Sequence, residues 1–411
     1  MIEFERFTLE NGLKVIVHED HSTSMVAMNL LYDVGARDED AQQTGFAHLF
    51  EHLMFGGSKN IPNYDSPLQR AGGENNAFTS NDITNYYLTI PTPNLETGFW
   101  LESDRMLELA FSKKSLEVQR NVVIEEFKQR YLNQPYGDVW LLLRPLAYKV
   151  HSYQWPTIGK EISHIEEATL EDVKKFFYRF YRPNNAVMVL SGNLKLDLAK
   201  EWTEKWFGPI PAGTVETREL KKEPPQTEAR HLDVTRDVPQ SAIYKAYHMC
   251  DRRDVRYHTA DLLSDILSRG KSSRLYKELV WEQQLFSDIS AFVMGSLDNG
   301  LFVVSGKLLP GVTLEDADAA IQKELQKVVS EPVPEMELAK VRNKAESSMV
   351  FSEMGILNKA MNLAYFELLG DAQEINQEVS KYLQVTSEGV QELAAEILRP
   401  ENCSTMYYRA R

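Results

Sequence analysis

The rhythm of apolar and polar residues changes several times along the chain. Phe7-Thr8-Leu9 and Lys14-Val15-Ile16-Val17 are short apolar runs on either side of Glu10-Asn11-Gly12. An Asn-Gly pair between such runs predicts a two-stranded hairpin, because both residues tolerate the positive φ of a tight turn. Val26 to Val34 predicts a third strand, stopped by Gly35. From Gly45 to Phe55 the apolar spacing becomes helical, with Thr44 in the position of an N-cap and Gly56-Gly57 ending the helix. Asn76-Ala77-Phe78-Thr79 and Tyr86-Tyr87-Leu88-Thr89-Ile90 predict paired strands. Ser115 to Leu132 predicts a long helix closed by Pro135, and strands and helices alternate after that.

Lys205 to Pro225 interrupts this pattern with Gly208-Pro209-Ile210-Pro211-Ala212-Gly213, a charged run from Arg218 to Glu223, and Pro224-Pro225. That is the composition of a linker, which puts a boundary near residue 220 and predicts domains of 1–220 and 221–411. The two parts echo each other. Tyr181-Arg182-Pro183-Asn184-Asn185-Ala186 precedes a strand in the first, and Leu398-Arg399-Pro400-Glu401-Asn402-Cys403 precedes one in the second. The expected fold class is α+β, as a duplicated domain. The 411 residues, 43% of them apolar, are enough to form a core in each copy.

Composition excludes some classes of function. A net charge of -15 disfavours nucleic acid, whose binding rests on clustered Lys and Arg, and biases the surface toward basic peptides. No apolar stretch approaches the roughly 20 residues that span a bilayer, so no membrane span is expected. Met1-Ile2-Glu3-Phe4-Glu5-Arg6 lacks the basic start and apolar run of a secretory signal. Cys250 and Cys403 are far apart and in no C-x-x-C pattern, which argues against disulfides and a cysteine metal site and makes the reducing cytoplasm the expected compartment.

The candidate chemistry lies in His48-Leu49-Phe50-Glu51-His52. Histidines four residues apart share one helix face, so both imidazoles can reach one ion, with Glu51 beside them. This H-x-x-E-H order suits a catalytic zinc, with the carboxylate as general base. Such a site needs a third protein ligand, and Glu125 or Glu126 can supply it. The apolar neighbours Gly45-Phe46-Ala47 and Leu53-Met54-Phe55 argue against a solvated decoration, since buried polar groups need partners. His18 and His21, in the acidic segment His18-Glu19-Asp20-His21, are expected on the solvated surface.

Taken together, these residues resemble the pitrilysin family of zinc peptidases, which includes insulin-degrading enzyme and mitochondrial processing peptidase. The resemblance runs through Val34-Gly35-Ala36-Arg37-Asp38-Glu39, Phe46 to Phe55, Gly72-Gly73 with Asn76 to Ser80, Thr84-Asn85-Tyr86-Tyr87, Arg120 to Glu126, and Gly270-Lys271-Ser272-Ser273-Arg274-Leu275-Tyr276. It implies a half-size member similar to the processing-peptidase subunits. Each chain would hold two homologous α+β domains, each a mainly antiparallel sheet packed with helices. Chains would pair to enclose a chamber for unfolded or short peptides. It also implies one Zn2+ held by His48, His52 and Glu126, Glu51 as general base, and Asn76-Ala77-Phe78 as the substrate-binding edge strand.

Two departures stand out. Where the family commonly has a second glutamate, seven residues before the third ligand, this chain has Gln119, which adds no charge to the site. Where it often has an Arg and a Tyr directed at the scissile carbonyl, an ungapped reading gives Val280 and Ser287. Such donors contribute roughly 3 to 4 kcal/mol to a transition state. The expectation is therefore a catalytic subunit whose homologous partner lacks the zinc motif and supplies Arg and Tyr. Another tyrosine or arginine of this chain in a shifted alignment is the competing account. The rival functions are a non-catalytic assembly subunit of the same fold and a peptide-holding protein that rarely cuts.

Overall fold

The computed structural model describes residues 1–214 and 218–411, so residues 215–217 of the expected linker lie outside the described residues. The first sheet holds β1 (Glu5–Thr8), β2 (Lys14–Glu19), β3 (Met25–Tyr32), β4 (Glu74–Thr79), β5 (Thr84–Pro91) and β6 (Ala186–Gly192) in the order β1-β2-β6-β3-β5-β4. The hairpin forms with Thr8 opposite Lys14 and Phe7 opposite Val15, and Gly12 takes φ 87° at its turn. The second sheet holds β7 (Arg230–Arg236), β8 (Ala242–His248), β9 (Phe286–Met294), β10 (Leu301–Leu308) and β11 (Cys403–Ala410) in the order β7-β11-β8-β10-β9. All neighbours are antiparallel except β2 with β6 and β7 with β11. Apart from the extra β1, the sheets have one topology, with β2, β6, β3, β5 and β4 matching β7, β11, β8, β10 and β9.

The short sequence echo marks equivalent places in the two copies. Pro183–Asn185 and Pro400–Asn402 are each a single 3-10 turn leading into the strand that pairs in parallel. The Asn185 amide donates to the carbonyls of Phe180 (2.9 Å) and Asp33 (3.0 Å). The Asn402 amide donates to those of Ile397 (2.8 Å) and His248 (2.9 Å). In both copies one asparagine ties the end of a helix to the exit of the central strand.

The compact units are not two consecutive halves. Unit 1 is Met1–Arg130, Trp155–Leu220 and Val350–Gln377, and unit 2 is Tyr131–Gln154, Lys221–Met349 and Glu378–Arg411. The difference from 1–220 and 221–411 is an exchange of one helical segment in each direction. In unit 1, Ala360, Leu363 and Ala364 of the helix Ile356–Leu369 pack on Ala27, Leu31, Val187 and Val189 of the sheet. In unit 2, Val139, Leu143 and Ala147 of the helix Val139–Ala147 pack on Ala242, Ala246, Val303 and Met406. The opposite face of that sheet buries Ile243, Phe302 and Val304 with Leu262, Leu263 and Ile266 of the helix Tyr257–Ser268. The central strands of both sheets are buried or nearly so on both faces, in keeping with their near-continuous apolar runs.

Among the described residues no helix is long and apolar enough to cross a membrane, and both cysteines are free. His18, expected on the surface, is buried on β2 with Nδ1 2.6 Å from the Glu3 carbonyl, whereas His21 is exposed.

Candidate metal centre

The helix bearing the histidines runs from Phe46 to Leu53. Thr44 does not cap it: its hydroxyl lies 2.8 Å from Nδ1 of His164 and accepts from the Lys160 amide. Gly45 is the boundary residue, at φ 88°, and a Cβ there would stand 2.6 Å from the Ile158 carbonyl oxygen. The first-turn amides are instead met by Glu39, whose two carboxylate oxygens accept from Gly45 and Ala47 at 2.8 Å each. An anion at a helix N-terminus is favourable, yet burial pushes the Glu39 carboxyl up to about 8. A side chain six residues upstream therefore does the work of a local cap.

Phe46, Ala47, Leu49, Phe50 and Leu53 face the core. Phe50 stacks on Tyr181 (5.2 Å between centroids), its carbonyl accepts from the Tyr86 hydroxyl (3.3 Å), and Phe176 lies against both Phe46 and Phe50. Fixing this face by packing leaves His48, Glu51 and His52 on the other.

A second helix, Lys113–Phe127, starts at Ser112, whose hydroxyl accepts from the Ser115 amide (3.0 Å), and runs into a π-helical turn at Lys128–Leu132. Its buried Leu116, Val123, Ile124 and Phe127 set the rotation that separates the two candidate glutamates. Glu125 points to solvent and pairs with Lys128 (2.7 Å). Glu126 turns inward, with Oε2 3.6 Å from Nε2 of His48 and 3.4 Å from Nε2 of His52, while Arg130 holds its Oε1 at 2.8 Å.

His48, His52 and Glu126 each offer one ligand atom, and these atoms all lie within 4.8 Å of one another. Two atoms each about 2.1 Å from one tetrahedral ion are roughly 3.4 Å apart, so the measured separations suit a single small cation. They are too long for strong hydrogen bonds among the three groups. Burial pushes the His48 imidazole down to about 4, so at neutral pH it is uncharged, as a metal ligand must be. The nearby His52 imidazole is the largest influence holding the Glu126 carboxyl below its usual range, with His48 and Arg130 adding to it. Burial raises the Glu51 carboxyl, against a hydrogen bond from Thr79.

Residues 14–143 match the family model described as insulinase (peptidase family M16), and residues 167–345 match the model described as the peptidase M16 inactive domain. The chain belongs to the M16 peptidase family. A Helicobacter pylori protein named zinc protease PqqE is 28% identical over 412 residues, covering 98% of this chain and 92% of that one. The crystal structure of a protease from Helicobacter pylori superposes with a TM-score of 0.93 at 28% identity, each chain fully covered. Pitrilysin shares the fold at a TM-score of 0.77 and 19% identity, with this chain corresponding to 45% of that one. The chain thus corresponds to the whole of the Helicobacter pylori protease structure and to about half of pitrilysin, over two units of one sheet topology.

The remaining M16-derived expectations fall in several places. Asn76, Ala77 and Phe78 lie on β4, the outer strand of the first sheet, with Asn76 Oδ1 accepting from the Ala77 amide (2.8 Å) and Phe78 exposed. Ala77 pairs with Tyr86 and so shares its face with the motif helix, while Asn76 and Phe78 project from the other face. Gln119 is half-buried on the second helix, two turns before Glu126. Val280 packs against the core of unit 2, and the Ser287 hydroxyl, at the start of β9, lies 3.2 Å from both Gln240 Oε1 and the Lys307 carbonyl. Val280 has no donor to offer an oxyanion, and the Ser287 hydroxyl faces two acceptors already.

The sequence reading missed two contacts. Thr79 Oγ1 donates to Glu51 Oε2 at 2.7 Å, a contact that the alternation of Ala77 and Thr79 on one face could have signalled. Glu39 had no local signal, since it lies outside the capping position.

Proposed function

We propose that this chain is a zinc metalloendopeptidase that cleaves unfolded or short peptides. The observation that carries this reading is the convergence of His48, His52 and Glu126 within 4.8 Å, with Glu51 on the same helix face. When bound, zinc supplies a Lewis acid that polarises the scissile carbonyl and acidifies water. His48, His52 and Glu126 hold it, and burial keeps His48 uncharged for that task. Glu51, on the same helix face, would take the proton of the attacking water and deliver it to the leaving amine. The outer edge of β4, hydrogen-bonded on one side only, receives the peptide as an added strand near Asn76, Ala77 and Phe78.

The inactive-domain model covers 167–345 and so touches none of His48, Glu51, His52 or Glu126. A non-catalytic assembly role therefore has no support from the motif helix. The side chains of Val280 and Ser287 do favour one addition, a homologous partner subunit that lacks the zinc motif and contributes Arg and Tyr to the carbonyl-binding wall. Mass measurement of the native assembly together with peptide cleavage by the lone chain tests this, and full activity of the lone chain contradicts it. The peptidase reading itself is tested by Glu51→Gln. It is expected to keep its zinc and lose about 10³-fold or more in turnover, within the upper range for a general base. Cleavage at the wild-type rate contradicts the assignment.

A further inference from the structure

We propose that Thr79 is a positioning residue for Glu51, tying the general base to the strand that receives the peptide. The inference rests on the peptidase reading above. Thr79 ends β4, opposite Thr84 of β5, and the wholly buried Thr84 hydroxyl donates to the Val34 carbonyl at 2.9 Å. The backbone that carries Thr79 is thus pinned on its inner side, and a β-branched side chain on a strand has a restricted χ1. From this fixed point Oγ1 donates its single proton to Glu51 Oε2 at 2.7 Å. One carboxylate oxygen is thereby held, and Oε1 is left as the oxygen that exchanges protons. Glu51 itself reaches the site through three rotatable bonds from a helix whose packing fixes only the opposite face, so its terminal group needs such an anchor. The same strand carries Ala77 two residues earlier, at the edge where a peptide would add. Base and peptide seat are then referenced to one rigid element, which reduces misplacement of the kind that can cost about 10²-fold in rate.

The test uses the full-length chain in three forms, wild type, Thr79→Val and Thr79→Ser. Valine keeps the shape and removes the donor, and serine restores it. The expected result is a turnover number reduced roughly 10- to 100-fold in Thr79→Val, with KM changed less than about twofold, zinc stoichiometry unchanged and most of the rate recovered in Thr79→Ser. Wild-type turnover in Thr79→Val, or no recovery in Thr79→Ser, overturns the proposal. A second readout needs no catalysis: the denaturant midpoint of the metal-stripped chain in a cycle of Thr79→Val with Glu51→Ala. Thr79→Val is expected to lower the midpoint when Glu51 is present and to leave it unchanged in the Glu51→Ala background. Equal shifts in both backgrounds overturn the contact on which the proposal stands. If the wild-type chain cleaves nothing, the peptidase reading fails while this cycle still decides whether Thr79 anchors Glu51.

Discussion

The two units use one sheet topology for different ends. In unit 1 the helix following the central strand presents His48, Glu51 and His52 away from the core, toward Glu126. In unit 2 the corresponding helix, Tyr257–Ser268, buries Leu262, Leu263, Ile266 and Leu267 and carries one histidine. That residue, His258, is buried with Nε2 3.1 Å from the Glu378 carboxylate and its ring against Tyr382 (4.8 Å), as part of the packing. Among the described residues only unit 1 brings three metal-binding groups together. The scaffold is common to both units, and the chemistry depends on a few residues added to one of them.

The sharpest way to break this comparison is to remove a histidine from each helix. His48→Ala is expected to lower bound zinc to less than about a tenth of wild type, since a catalytic site has only three protein ligands. His258→Ala is expected to leave zinc content unchanged and to cost roughly 1–3 kcal/mol of stability by leaving Glu378 short of a partner. Metal analysis and denaturant unfolding of both variants measure this, and loss of zinc from His258→Ala would erase the distinction.

A second effect concerns how the motif helix is held. Glu39 anchors the motif helix with a carboxyl raised by burial from 4.5 to about 8. Between those values the folded chain binds a proton that the unfolded chain does not. This contribution to stability is therefore fully present below about pH 4.5 and is lost as the pH rises toward 8, with a slope of up to about 1.4 kcal/mol per pH unit. In Glu39→Gln that slope is expected to flatten when unfolding is measured from pH 5 to 8. An unchanged slope would mean that Glu39 is ionised in the folded chain throughout.

The smallest expected difference tests the duplication. Asn185→Ala and Asn402→Ala each remove two side-chain hydrogen bonds to carbonyls in matching places, and each should cost about 1–3 kcal/mol. The buried Asn402 should be the costlier of the pair. A silent Asn402→Ala would show that the shared turn is only a sequence echo.

The local chemistry of the fold was readable from the chain. Asn11-Gly12 marked the hairpin, and the Arg-Pro-x-Asn echo marked the duplicated turn. The exchange of Val139–Ala147 and Ile356–Leu369 between units was not readable, because an amphipathic helix encodes the face it buries and not the sheet it covers. The motif helix and its two histidines followed from spacing. Spacing left Glu125 and Glu126 open and the family resemblance pointed to Glu126; the helix rotation set by Val123, Ile124 and Phe127 turns Glu126 toward the histidines and Glu125 to Lys128. Thr44 looked like a cap because capping rules are local. Glu39 replaced it through a contact that only the folded chain creates.

The central claim is that unit 1 holds one zinc ion that Glu51 needs for peptide cleavage. The most direct test titrates the metal-stripped wild-type chain and Glu51→Gln with Zn2+, following bound metal and peptide cleavage in the same samples. The account predicts that both proteins bind one equivalent and that cleavage rises with occupancy only in the wild type. Stoichiometric zinc binding that His48→Ala does not abolish, or cleavage by Glu51→Gln that matches wild type, would contradict it.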